Sequence, residues 1–264
     1  MVNKKMKGKR GMGKKAQLTI FIILGLLILV VLILLFARGG DLGTIFVAKT
    51  PMQQIEDCAK VPVKEGIDKL SLQGGSIDPE NYYLYEGNKV EYVCYTDENL
   101  KTCVMQKPIL TNSIGEGLKS YSEGKIRVCL NGVKKSLEKK GYSVSMKPVE
   151  VSIELVPDNV LVNMDLSLSI SKDGTESYDN VKVGVRSKIY NLVIVASSIM
   201  SLEARFGDSE SLNYMLIYPS LKVEKKKQGD GSKIYIITDR DSNERFLFAV
   251  KSFVIPPGII EVRE

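Results

Sequence analysis

Cys58, Cys94, Cys103 and Cys129 are the residues whose type and spacing say most about chemistry in this 264-residue chain. An even set of cysteines outside the cytoplasm reads as disulfides, and four allow three pairings. The segment KVEYVCYTDENLKTCVMQ, residues 89–106, alternates around a polar turn at Asp97-Glu98-Asn99. A two-residue loop at Glu98-Asn99 sets Cys94 opposite Cys103 and Val93 opposite Val104, close enough for a bond. Cys58 then pairs with Cys129, each within a helical pattern, and closing so long a loop contributes roughly 2–5 kcal/mol. The rival chemistry is zinc, whose sites place cysteines two to four residues apart. These spacings are far wider and the chain has no histidine, so no metal is expected.

The absence of histidine also removes the commonest general base and excludes Ser-His-Asp and Cys-His arrangements. Two S-x-x-K matches, Ser122–Lys125 and Ser169–Lys172, stand without the companion motifs of a Ser-Lys hydrolase. Asp239-Arg240-Asp241-Ser242-Asn243 opens like a calcium loop, but Glu244 stands where glycine is needed and Val250 where the bidentate glutamate belongs. A polar turn between strands accounts for it. Glu150 and Glu154 fall on the wet side of an alternating strand. Lys225-Lys226-Lys227 reads as a charged strand end, and Tyr82, Tyr83 and Tyr85 as packing around a hairpin. No glycine-rich phosphate loop follows a strand. The expectation is a protein that is not an enzyme, with no catalytic, cofactor-binding or metal-binding residues.

Residues 16–37, AQLTIFIILGLLILVVLILLFA, are uncharged and apolar. A helix of about 20 such residues spans a ~30 Å hydrocarbon core with its backbone groups satisfied internally. The leader before it, residues 1–15, holds Lys4, Lys5, Lys7, Lys9, Arg10, Lys14 and Lys15, and no acid precedes Asp41. This topology signal keeps the N terminus cytoplasmic and sends the C-terminal region out of the cytoplasm. Setting those seven cations and Arg38 aside leaves 29 of the 37 basic residues against all 31 acids. The overall charge of +6 therefore belongs to the leader, and nucleic acid is not an expected partner. The lipid bilayer is one, with protein partners besides. A cleaved secretory signal ending near Ala37-Arg38-Gly39 is the alternative, but its apolar core normally runs only 7–15 residues.

Lys14-Lys15-Ala16-Gln17-Leu18-Thr19-Ile20-Phe21 resembles the class III leaders of archaeal pilins and archaellins, in which a basic stub is cut just before the apolar helix. The resemblance implies a processing site between Ala16 and Gln17. It departs from the pilin pattern at Ile20-Phe21, where pilins commonly carry an acidic residue. The N terminus is also similar to that of uncharacterised archaeal single-pass membrane proteins that begin [G/A]-Q-x-T-I-F-I-I. That likeness implies topology and lineage, and no chemistry.

Beyond a linker at 38–49, Thr50-Pro51 marks a helix start, with Ile55, Cys58, Ala59, Val63, Ile67 and Leu70 at helical spacing. Pro62 should kink or split it, and Gly74-Gly75 end it. Residues 113–140 form the next helix, with Ile126, Cys129, Leu130, Val133 and Leu137 on its buried face. Its glycines at 115, 117 and 124 weaken the first half, and Gly141 ends it. Residues 149–155 and 162–170 alternate around a turn at Pro157-Asp158-Asn159, a hairpin with one wet face. Residues 181–185 extend the pattern. Residues 188–205 read as a buried core helix. Strands follow at 222–226, 233–239 and 246–254, turning at Gly229-Asp230-Gly231, and Pro256-Pro257-Gly258 ends the regular structure.

The fold class is therefore α+β: an N-terminal transmembrane helix, then a disulfide-stapled ectodomain at 50–264 with antiparallel sheet and two to three helices. It forms one elaborated domain or two subdomains, about 50–141 and 142–264. The expected function is a non-catalytic, membrane-anchored structural or interaction protein of the archaeal cell envelope. The alternative is a pilin-like subunit cut at Ala16-Gln17 and assembled into a surface filament.

Overall fold

Thr50 and Pro51 begin a helix as their types predict. The Thr50 hydroxyl accepts from the Gln53 amide at 3.2 Å and the Gln53 side-chain oxygen accepts from the Thr50 amide at 3.0 Å. Pro51 takes the first helical position, where its missing N–H costs nothing. The computed structural model describes residues 22–31 and 49–252. In the first of these spans, helix α1 (Ile22–Val31) is apolar and every side chain in it is exposed. The rest of the 16–37 stretch, the leader cations, the Ala16-Gln17 junction, nearly all of the linker and Pro256-Pro257-Gly258 lie outside the described residues.

Helix α2 (Pro51–Leu72) runs through Pro62 without splitting. The proline nitrogen has no proton for the Cys58 carbonyl, but Ile55, Cys58, Ala59, Val63, Ile67 and Leu70 bury one continuous face and hold the helix together. Gly74 and Gly75 end it at φ of 71° and 90°, and the Gly75 amide donates to the Leu70 carbonyl at 2.9 Å. Helix α3 (Leu110–Lys139) starts before the expected position and keeps its glycine-bearing half. Two of those glycines, Gly115 and Gly117, are contact points. A Cβ on Gly117 would lie 3.0 Å from Leu70, and one on Gly115 3.1 Å from the Ile153 carbonyl oxygen. Packing closely at Gly115 and Gly117 outweighs their poor helix propensity.

The strands form two sheets. In the first, β1 (Tyr82–Tyr85), β2 (Asn88–Tyr95), β10 (Arg245–Lys251), β9 (Ser232–Asp239) and β8 (Leu221–Lys227) lie in that order, with β3 (Val104–Met105) also on β2. This sheet is mixed, because β10 pairs with β2 in parallel. In the second, β6 (Asn159–Ser171) has β7 (Thr175–Arg186) along one edge. Its other edge is shared end to end by β5 (Glu150–Val156) and β4 (Ser143–Met146). The β5–β6 turn is Pro157-Asp158, with Val156 facing Asn159 and Asp158 at φ 62°. Along β6 the even-numbered residues from Val160 to Ile170 are all buried, which makes one dry face.

Helix α4 (Ile189–Phe206) is, among the described residues, long and apolar enough to cross a membrane. It lies instead against β9 and β10, with Leu192, Val193, Ala196, Ile199 and Met200 buried in the core. A short helix, α5 (Ser211–Ile217), follows it. Four helices, not two to three, therefore stand among the described residues after Lys49. Helices α2 and α4 contact both sheets, and one core cluster runs from Ile55 to Val250 across residue 141. Residues from Thr50 onward form one compact unit. Neither β4 nor α5 was visible in the sequence. The first buries a single residue, Val144, and the second spans only two turns.

Two glycines of different kinds give opposite expectations. Gly75→Ala puts a Cβ 2.8 Å from Ile114 at a left-handed φ of 90° and should cost about 1–3 kcal/mol. Gly124→Ala, in mid-helix with nothing within 4 Å, should stabilise by about 0.5–1 kcal/mol. Urea unfolding of the two variants measures both.

Candidate functional site

The cysteines form two bonds, Cys58–Cys129 with Cα atoms 5.5 Å apart and Cys94–Cys103 with Cα atoms 5.3 Å apart. The pairing is the expected one, but two details differ. Cys94 faces Met105 and Tyr95 faces Val104, so the register lies two residues away from the one that set Cys94 against Cys103. The connection is longer than a two-residue loop because β3 holds only Val104 and Met105, and Leu100 adopts φ 63°. The bond thus closes a wide loop just ahead of the pairing. Cys129 is exposed, not on the buried face; Ile126 and Leu130 take that face, and Cys129 sits beside it, bonded to the buried Cys58.

The motifs weighed for chemistry are taken up internally. Ser122 donates to the Leu118 carbonyl at 2.6 Å, while Lys125 pairs with Glu65 at 2.8 Å and lies over the Tyr121 ring. Lys172 reaches the Lys140 carbonyl, and no bond joins it to Ser169. Neither pair makes a nucleophile and base. Glu150 and Glu154 are both exposed. In the calcium-like loop, the Asp239 carboxylate accepts from the amides of Asp241 and Ser242 and from the Ser242 hydroxyl, at 2.8–3.2 Å. It closes its own turn. Among the described residues no group of three or more acidic, histidine or cysteine side chains is arranged for a metal ion.

A buried charged network appears that the sequence did not reveal. Lys233, on β9, donates to Glu203 at 2.5 Å, to the Gly207 carbonyl at 2.6 Å and to Asp208 at 3.4 Å. The Tyr235 hydroxyl donates to the other Glu203 oxygen. Glu203 and Tyr235 are fully buried and Lys233 nearly so. All three ammonium protons have acceptors, one of them the carbonyl at the α4 C terminus, where a cation suits the helix dipole. Burial pushes the Glu203 carboxyl above its ordinary range, against the pull of Lys233. Burial first, and the Glu203 carboxylate second, push the Tyr235 phenol up.

The opposite pole of α4 is held by the same hairpin. Glu244, in the β9–β10 turn, accepts from the Ser187 hydroxyl at 2.6 Å and the Lys188 amide at 2.9 Å. An acid therefore stands at the helix N terminus and a lysine at its C terminus. Both charges are spent on architecture.

The first sheet's outer face carries one of the surface concavities. Tyr83 and Tyr85 of β1 pack against a second apolar cluster formed by Val90, Tyr92, Ile234, Ile236, Leu247 and Ala249. Tyr83 donates to Gln228 at 3.2 Å, so the β1–β2 hairpin folds over this face. Between its tip at Tyr85-Glu86 and the strands lies a groove of about 460 Å³, floored by Ile236 and Thr238. Its charged lining comprises Lys222, Lys226, Arg240 and Arg245 with Glu86 and Glu224. The lysine run is split by strand alternation. Lys225 is bonded to Asp208 and Ser209 beside the buried network, while Lys226 faces the groove.

No protein-family model, curated protein or solved structure matches this chain.

Removing the bonds separately should resolve their contributions. Loop closure over separations of 71 and 9 residues predicts losses of about 4 kcal/mol for C58S/C129S and about 3 kcal/mol for C94S/C103S, read by denaturant unfolding. A pH series tests the buried network. The Tyr235 pKa is raised in the folded state, so its contribution is whole below the unfolded value of about 10 and is lost as pH rises further. Unfolding free energy should fall above about pH 10. Tyr235→Phe should fall less steeply there, and be about 1–3 kcal/mol less stable at neutral pH, because Glu203 loses a donor.

Proposed function

We propose that this chain is a membrane-anchored extracytoplasmic protein that acts by binding rather than by catalysis. The observation that carries the reading is the pair of disulfides in the region after Lys49, since such bonds belong to oxidising environments. The apolar stretch at 16–37 and its basic leader supply the anchor and its orientation. The archaeal envelope assignment rests on the leader resemblance.

The buried groups support a non-catalytic role. A glutamate, a lysine and a tyrosine in mutual contact are the makings of acid–base chemistry. Here the glutamate and tyrosine are sealed from solvent, and every proton donor already has its acceptor. The exposed features, the basic groove and the apolar side chains of α5 such as Leu212 and Leu216, suit recognition of another molecule.

Intact mass of the chain recovered from native membranes, with and without reductant, tests this. The expected result is a chain that keeps its basic leader and gains four hydrogens on reduction, two for each disulfide. A chain beginning at Gln17 would replace the lone anchor with a pilin-like filament subunit. One beginning after residue 37 would remove the anchor.

A further inference from the structure

We propose that the groove beneath the β1–β2 hairpin binds a small polyanion, a ligand carrying at least two phosphate, sulfate or carboxylate groups. The inference stands apart from the anchoring reading, since it needs only the groove's own residues.

Strand register sets the cations in place. Lys222 faces Thr238, and Thr238 faces Arg245, so the three lie in one row across β8, β9 and β10. Neighbouring strands are about 4.8 Å apart, which puts the Lys222 and Arg245 backbones roughly 10 Å apart with the Thr238 hydroxyl between them. That hydroxyl has no hydrogen-bond partner among the described residues. Two cationic heads flanking one hydroxyl donor fit a ligand with two anionic groups.

The cations outnumber the carboxylates that hold them. Glu224 alone serves both Lys222 at 2.9 Å and Lys226 at 3.1 Å. Arg240 uses its Nε proton on the Leu221 carbonyl at 3.3 Å, leaving the outer guanidinium fork open. Arg245 is exposed, and among the described residues no carboxylate pairs with it. Four cations against two acids leave the groove at +2, in a region whose total charge beyond residue 38 is about −2 by its residue count. The surplus is therefore local.

Shape supports the same reading. The volume of about 460 Å³ falls within the ~300–1,000 Å³ of ligand cavities. The Ile236 floor and the Tyr85 wall are apolar. They displace water from beneath a bound ligand and strengthen charge-assisted hydrogen bonds from the guanidinium forks.

The test uses the full chain in nanodiscs of phosphatidylcholine at low salt, titrated calorimetrically with pyrophosphate. The expected result is saturable binding that the R240Q/R245Q double variant weakens at least fivefold, while K182Q, at an exposed position on β7, changes it less than twofold. The basic leader is a rival anion site, and binding there would survive the double substitution. Both arginines are exposed. Should the double variant melt early, Lys222→Gln replaces it under the same criterion. Absence of saturable binding, a loss smaller than fivefold, or an equal loss in K182Q overturns the proposal.

Discussion

Helix α4 and the β9–β10 hairpin are clasped at both ends by opposite charges, and the fold after Thr50 is arranged around that clasp. An 18-residue helix is about 27 Å long at 1.5 Å per residue. The seven- and eight-residue strands run about 23–26 Å at 3.3 Å per residue. The matched lengths let Glu244 meet the helix N terminus while Lys233 meets its C terminus. Each charge faces the helix pole that favours it, and the apolar face between them, from Leu192 to Met200, is pinned in register on the sheet.

That hairpin is dry on both faces, which dictates the layers around it. One face, with Tyr235, Ile237, Phe246 and Phe248, belongs to the main core shared with the helices. The other, with Ile234, Ile236, Leu247 and Ala249, is covered in part by the tyrosines of the folded β1–β2 hairpin. Burying Lys233 on the main-core side is tolerable only because three acceptors meet its ammonium group. An unpaired charge there would cost several kcal/mol. The same alternation turns Lys222, Glu224 and Lys226 outward. One strand thus helps to hold a buried ion network on one side and line an open basic groove on the other.

Stapling and packing divide the remaining work. The Cys58–Cys129 bond ties α2 to α3 where the two helices already pack closely. The Cys94–Cys103 bond restrains the loop between β2 and β3, and Tyr95 adds to it by donating to Asp97. That bond pushes the Tyr95 phenol up to about 12 and draws the Asp97 carboxyl down.

Much of this was legible along the chain. Period-two alternation marked β5 and β6, strands between turn residues were expected where β8 to β10 lie, helical spacing marked α2 to α4, and the Thr50-Pro51 start and the Gly74-Gly75 stop follow from backbone chemistry. Cysteine number and local pattern were enough for the disulfide partners, because a nearby pair on a hairpin leaves only one other choice. What the chain could not show depends on residues far apart in sequence. The Cys94 strand sits two residues from its expected register against β3, and its other edge pairs in parallel with β10, more than 150 residues later. Gly115 and Gly117 of α3 looked like weaknesses until β5 and α2 were laid against them. Glu203, Lys233, Tyr235 and Glu244 carry no motif, and neither do Lys222, Arg240 and Arg245. Local pattern and cysteine count determined most of the elements and the staples. Tertiary packing decided which charges are buried together and which face the groove, because only the folded chain sets the distances between them.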